Sequence, residues 1–376
     1  MKIAEIRTHI LSLPHKGLYH WALGAPEGSN VVLLEVVSDD GLVGYGEACG
    51  ARSAAAIAAA IRDFEYLLIG QDPFRVEWLL EQVYRRGYWS NERRFLHAAF
   101  GGIDMALYDL CGKALGVPAY NLLGGRVHDE IPWFAFLQGD TPEELAADAV
   151  QYVARGFDPL YLKIGQGPEH DIATVSAVRK AVGPGPRLRV DANESWSRFT
   201  ALGMIRRLVE FDIDWVEQPT PFHDIEGVAV LRRESPIRIA LDQAIYTDYD
   251  VLRAVRTGAA DVVVMGFHET GGLWPMRKAA AVAAAGGIVI NRHGVLGETG
   301  VSTMAALQIL AAIPNQTDGH QVMHQLYVED ILVDGLVSIE GGRTAVPDRP
   351  GLGVELDWDR VAKFERLYEK IGQYRM

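Results

Sequence analysis

The sequence predicts an α/β protein, a modified (β/α) barrel preceded by an α+β unit of about 120 residues. Three observations carry that prediction. From residue 131 onward, short apolar runs alternate with helical stretches in units of about 25 residues, as parallel strands and their crossover helices do. Residues 1–50 follow a different rhythm, strand-like alternation around a tight turn. Asp191, Glu217 and Asp242 each close a strand-like run, at intervals of 26 and 25 residues.

Taken in order, residues 2–8 and 31–37 read as strands. Ser38-Asp39-Asp40-Gly41 is a hairpin turn, and 42–48 returns the chain. Between the first two strands, 18–29 holds His20, Trp21, Gly24, Pro26 and Gly28 without periodicity, so it reads as a loop. Helical texture follows over 54–68, 74–86 and 93–115, and Gly116-Val117-Pro118 stops the last of these. Strand-like runs then fall at 131–136, 160–164, 188–190, 215–216, 237–240, 261–265 and 288–291. Helices lie between them, among them 142–155, 169–182, 199–210 and 274–285. Thr141-Pro142-Glu143-Glu144 starts the first of these with an N-cap, a proline at N1 and two acids in the first turn. Seven or eight such units favour closure of the sheet over an open, doubly wound one. The expected organisation is an α+β domain over 1–122 and a barrel over 123–345. The tail, 346–376, is expected to pack back on the first domain.

Composition narrows the partners. The formal charge is −13, with 36 Lys and Arg against 49 Asp and Glu in 376 residues. Nucleic acid and an anionic membrane surface both call for a basic face, so neither is expected as a partner. Two cysteines, Cys49 and Cys111, are expected as buried, reduced thiols rather than a disulfide framework. Lys2, Glu5 and Arg7 put charge where a signal peptide needs an apolar stretch. The longest apolar run, 279–290, is broken by Gly286-Gly287 and is too short to cross a bilayer. A cytoplasmic protein is the expectation.

In a parallel barrel all strand C-termini open on one face, which places Asp191, Glu217 and Asp242 within reach of one ion. Three carboxylates without His or Cys are hard oxygen donors and suit Mg²⁺, with Mn²⁺ as a substitute, better than Zn²⁺. The same beat run backward reaches Lys163 at the tip of an apolar strand. Beside a divalent cation its ammonium is disfavoured, which suits a general base. Run forward, it reaches Gly266-Phe267-His268 and then Asn291-Arg292-His293. His293 is thus the candidate acid or base opposite Lys163, with His268 and Glu269 as alternatives if the register at that strand differs.

The chain resembles the mandelate racemase and muconate-lactonizing branch of the enolase superfamily over nearly its whole length. The resemblance rests on Gly41-Leu42-Val43-Gly44-Tyr45-Gly46-Glu47-Ala48, Asp104-Met105-Ala106-Leu107-Tyr108-Asp109 and Leu122-Leu123-Gly124-Gly125. Asp191-Ala192-Asn193, Val216-Glu217-Gln218-Pro219 and Pro350-Gly351-Leu352-Gly353 complete it. It implies a capping domain over a modified TIM-type barrel and Mg²⁺ held by Asp191, Glu217 and Asp242. It also implies a small carboxylate substrate whose α-proton is removed through an ene-diolate, and a homo-oligomer.

Three positions depart from the family pattern. A Lys-x-Lys is usual at the second barrel strand; here it reads Tyr161-Leu162-Lys163, where Tyr161 is either a donor to the substrate carboxylate or a packing residue. No lysine occurs between Lys180 and Lys278, so a two-lysine mechanism is not expected. The aspartate that pairs with a seventh-strand histidine is replaced by Gly266, leaving His293 to be oriented by another group, Gln243 among the candidates. Asn193, Gln243, His20 and Trp21 are the expected substrate contacts beside Tyr161, with Tyr45 and Trp89 further lid candidates. The expected reaction is dehydration of an acid sugar. A racemase, epimerase or cycloisomerase is the alternative, and a non-catalytic binding protein the reading from another class.

Overall fold

Alternation over the first fifty residues becomes a three-stranded antiparallel sheet in sequential order, β1 (Ile3–Pro14), β2 (Gly28–Ser38) and β3 (Val43–Ala48). The structure, a computed structural model, describes residues 1–17, 24, 26–49, 53–87 and 93–375. Helices α1 (Ala54–Leu68), α2 (Val76–Gly87) and α3 (Arg93–Leu115) follow. Strand β3 lies so close on α3 that a Cβ on Gly44 or Gly46 would fall 2.2 Å from the carbonyl oxygen of Ala106 or Gly102. Only glycine permits that approach.

A short α4 (Ala119–Leu122) leads into the second domain, which begins with β4 (Glu130–Pro132) and β5 (Ala135–Phe136). Helix α5 (Pro142–Ala154) starts on a capping box: Thr141 Oγ1 accepts the N–H of Glu144 (3.2 Å), whose carboxylate accepts the N–H of Thr141 (3.3 Å). The alternation continues through β6 (Leu160–Lys163), α6 (Pro168–Val182), β7 (Leu188–Asp191), α7 (Arg198–Leu208), β8 (Ile213–Glu217) and α8 (Ile225–Glu234). It runs on through β9 (Arg238–Leu241), α9 (Asp248–Thr257), β10 (Val262–Val264), α10 (Phe267–Thr270), α11 (Leu273–Ala285), β11 (Val289–Asn291) and α12 (Gly300–Ala311). The chain ends with β12 (Arg343–Ala345), which pairs with β4, and α13 (Trp358–Ile371).

Strands β5 to β11 form one parallel sheet in sequence order. What closes it is a short segment rather than a full strand. Gln316 bridges Ile290 of β11 and His320 bridges Trp133 just before β5, with Thr317 N–H donating to Ile290 (2.8 Å) and Phe134 N–H to His320 (2.9 Å). The eighth stave of the barrel is therefore these five residues.

The ladder sets the mouth of the barrel. Lys163 pairs with Asp191 across β6 and β7, and Asp191 pairs with Glu217 across β7 and β8. The second pairing depends on a bulge: Leu188 faces Ile213 but Arg189 faces Trp215, so Asp214 is an extra residue in β8. Were Asp214 paired with Arg189 instead of bulged out, Asp191 would face Val216, and Glu217 would turn to the outside of the barrel. Asp214 is held in place by Arg189, whose Nε donates to it at 2.9 Å, and by Arg238. Arg189 is 1% exposed and stacks on the Trp215 ring at 3.6 Å.

Two buried acids of the first domain clasp the barrel by satisfying helix N-termini. Glu47 accepts the N–H of Thr299 (2.8 Å) and of Ser302 (3.0 Å) at the start of α12. Asp104 accepts the N–H of Leu273 (2.5 Å) at the start of α11. The tail lies on the first domain: His9 of β1 meets Glu365 of α13 at 2.9 Å, and Asp109 accepts the N–H groups of both Tyr45 (2.8 Å) and Leu352 (2.7 Å). Cys49 and Cys111 are free thiols and buried. Among the described residues, no helix is long and apolar enough to cross a membrane.

Candidate active site

At the end of β7 the carboxylate of Asp191 gathers three nitrogen donors. Lys163 Nζ binds its Oδ2, Asn193 Nδ2 reaches the same oxygen at 2.9 Å, and the N–H of Asn193 donates to Oδ1 at 2.7 Å. Asn193 adopts a left-handed conformation (φ 44°), which asparagine tolerates better than most residues and which turns its N–H back toward the strand end. The phenol oxygen of Tyr161 lies 2.7 Å from both Asp191 Oδ2 and Glu217 Oε1, while its ring stacks on Phe134 at 4.5 Å. Burial, with Asp191 and Glu217 beside it, pushes the phenol well above its usual range.

Asp242 stands just beyond β9, placed by Gln218. That side chain is fully buried, and its Oε1 accepts the N–H groups of Asp242 (3.0 Å) and Ala244 (3.2 Å) while its Nε2 donates to Thr220 (2.9 Å). Gln243 Nε2 donates to Asp242 Oδ2 at 2.5 Å, and the backbone carbonyl of Gln243 accepts Arg94 from α3 at 3.2 Å.

Oxygens of Asp191, Glu217 and Asp242 lie within 4.8 Å of one another, all three residues buried. Burial first, then Asp191 and Asp242, raise the Glu217 carboxyl to about 8. Three such carboxylates repel one another, and one phenol proton cannot serve two acceptors 2.7 Å away at once. A divalent cation among the three would relieve both, and an all-oxygen donor set fits Mg²⁺ or Mn²⁺. Asp191, Glu217 and Asp242 are the residues that would hold it.

On the other side of the triad, His293 Nδ1 is 2.8 Å from Asp242 Oδ1 and Nε2 is 3.0 Å from Glu269 Oε1. Burial alone would depress this imidazole, but Asp242 and Glu269 together outweigh it and hold it well above its ordinary range. Glu269, which burial would raise, is kept below the ordinary carboxylate range by His293. The partner of His293 is therefore a glutamate on α10, three residues past the glycine where the family places an aspartate. Gln243 is not its orienter; that amide is engaged with Asp242. His268 is turned away, its Nε2 2.9 Å from Ser302 Oγ, and burial lowers it to about 3.

Of the predicted site residues, the structure brings together Tyr161, Lys163, Asp191, Asn193, Glu217, Asp242, Gln243 and His293. His20, Trp21 and Trp89 lie outside the described residues. Tyr45 sits on α3 rather than at the triad, with Lys113 Nζ 4.3 Å above its ring. Sequence reading alone did not identify Gln218 as the residue that places Asp242. Its signal was its place directly after Glu217, within Val216-Glu217-Gln218-Pro219.

Known proteins share this arrangement of domains. Residues 6–124 match the mandelate racemase/muconate lactonizing enzyme N-terminal domain, and 144–360 match the enolase C-terminal domain-like family. The chain is 32% identical to D-galactarolactone cycloisomerase of Agrobacterium fabrum, over 97% of this chain and 99% of that one. It is 29% identical to D-xylonate dehydratase of Haloferax volcanii, over 96% and 88%. The N-succinyl Arg/Lys racemase structure from Bacillus cereus superposes with a TM-score of 0.91 at 26% identity, covering 97% of this chain and 98% of that one. The dipeptide epimerase of Enterococcus faecalis, complexed with Mg and L-Leu-L-Tyr, superposes at 0.87 and 30% identity, covering 94% and 100%.

Proposed function

We propose that this chain, which belongs to the mandelate racemase and muconate lactonizing family of the enolase superfamily, takes the α-proton of an acid sugar with Lys163 and expels a β-oxygen with His293 as acid. One observation carries the reading: the two proton-transfer groups are tied to different carboxylates of the triad. Lys163 is on Asp191 and His293 is on Asp242. A substrate carboxylate seated at the triad would present its α-carbon between them.

A bound Mg²⁺ would supply Lewis-acid stabilisation of the charge that builds on that carboxylate as the proton leaves. Lys163 Nζ takes the proton, and Asp191 stabilises the resulting ammonium. Nζ lies 5.5 Å from the centre of the Tyr161 ring and 5.9 Å from that of Phe136. His293, protonated between Asp242 and Glu269, delivers a proton to the departing oxygen. If that oxygen is a hydroxyl, the reaction is a dehydration. If it closes a ring, the same elimination opens the ring and is an isomerisation. The likeness to relatives named for D-xylonate and D-galactarolactone supports an acid sugar as substrate.

A second reading has its own support in the superposition with the N-succinyl Arg/Lys racemase. Return of the proton to the opposite face by His293 would invert the α-carbon instead. Incubation with MgCl₂ in D₂O and D-xylonate, D-galactarolactone, N-succinyl-L-arginine or L-Leu-L-Tyr separates the two. Keto-acid formation or ring opening from a sugar acid is the expected result. α-Deuteration of an amino-acid derivative alone would favour the second reading, and no reaction of any of the four would sink both.

A further inference from the structure

We propose that the capping domain positions the proton-transfer histidine: one face of α3 seats the α10 turn so that Glu269 holds His293 in place. The inference rests on His293 acting as acid, as above, but not on which substrate it serves.

The seat is three contacts at helical spacing, residues 97, 101 and 104 of α3, which share one face. His97 is buried, and its Nδ1 donates to the carbonyl oxygen of Glu269 itself. A carbonyl only accepts, so that nitrogen carries the proton. Gly101 lets the turn settle: a Cβ there would be 3.0 Å from Phe267 O and 3.3 Å from the His268 Cα. Asp104 takes the first N–H groups of α11, at Leu273 (2.5 Å) and Trp274 (3.4 Å), which fixes the other end of the turn.

The barrel contributes the complementary space. A Cβ on Gly266, at the end of β10, would lie 2.3 Å from Glu269 Oε2 and 3.0 Å from His293 Cδ2. A side chain on the strand and the glutamate from α10 therefore exclude one another. The carboxylate that faces His293 arrives from a turn that the barrel does not fix alone. His97 reaches the site through the backbone carbonyl of Glu269, as a positioning residue.

The test uses the full chain with saturating MgCl₂ and two measurements. One is the low-field proton resonance of the His293 Nε2–H that faces Glu269; His293→Asn removes it together with that of the Nδ1–H facing Asp242, and Glu269→Ala removes it alone. The other is kcat and KM on whichever of the four compounds above reacts. Glu269→Ala should abolish the resonance. His97→Ala should do the same and lower kcat about 10–100-fold, as the loss of an outer supporting hydrogen bond does, with KM unchanged. His97→Asn, which places an amide N–H where the imidazole Nδ1–H was, should keep both. A Mg²⁺-dependent rise in Tm retained in His97→Ala would show the barrel intact. An unchanged resonance in His97→Ala, or His97→Asn failing as the alanine does, overturns the proposal. The resonance needs no substrate, so a wild type that transforms none of the four compounds ends the reading of function and leaves this one decided separately.

Discussion

Lys163 and Asp191 are lateral partners in the β6–β7 ladder, and the ammonium of one is bound to the carboxylate of the other. The base candidate and the first metal-ligand candidate are thus set by a single register, one residue from each strand end. Substituting either one perturbs a different function of the pair.

Lys163→Ala should reduce α-proton exchange with D₂O by about 10²–10⁴-fold, the usual range for losing a positioned base. Mg²⁺ binding should survive, because the three carboxylates remain. Exchange followed by proton NMR and binding followed by calorimetry check the two halves, and loss of both together would contradict the assignment of separate roles.

Removing the triad should have the opposite signature. In the wild type, Mg²⁺ at a hundredfold excess over its Kd adds about 2.7 kcal/mol to stability. The triple variant Asp191→Asn, Glu217→Gln, Asp242→Asn should show no such rise in Tm on titration with MgCl₂. A rise equal to the wild type's would place the ion elsewhere.

At the far end of the barrel, Asp214→Ala leaves the Arg189 guanidinium buried without its ion-pair partner. Breaking a buried pair from one side costs about 3–5 kcal/mol. Urea denaturation should register a loss of that size. A change under about 1 kcal/mol would mean that the backbone carbonyls of Asp318 and Gly319, which Arg189 also reaches, suffice.

Stability should also fall on the acid side through histidines buried neutral, His268 and His324 among them. Burial lowers His268 from 6.5 to about 3 and His324 from 6.5 to about 4. Between those values the unfolded chain binds more protons than the folded one, so stability is full above about pH 6.5 and declines as the pH drops. His324→Gln should flatten the decline between pH 6.5 and 4 in urea titrations. An unaltered slope would assign the acid limb to other groups.

The triad was legible because each carboxylate follows a β-branched run at a constant interval, a pattern the parallel barrel imposes on consecutive units. Lys163 and His293 were legible on the same beat. The partner of His293 was not, since Glu269 belongs to a single turn whose place is fixed by α3, some 170 residues earlier in the chain. Nothing local to Gly266 says which carboxylate will fill the space it leaves. The eighth stave escaped notice for another reason: Gln316 to His320 is polar and short, held by bridges at its two ends rather than by an apolar run. The bulge at Asp214 is likewise silent, because one extra residue does not disturb the apolar run.

That bulge makes the chemistry of the mouth a question of odd and even. Whether Glu217 points into the barrel is decided by the number of paired residues between the floor and the rim of β8, of which Asp214 is not one, and a substitution alters chemistry without altering that number. Deleting Asp214 would close the bulge and still leave Asp191 opposite Glu217, whereas deleting two residues from 213–216 would set Glu217 opposite Val190 and turn it out of the triad, with the other side chains at the mouth unchanged. Loops around the rim can therefore be exchanged for new substrates with the triad intact, whereas the floor, remote from any substrate, has one residue of slack and no more.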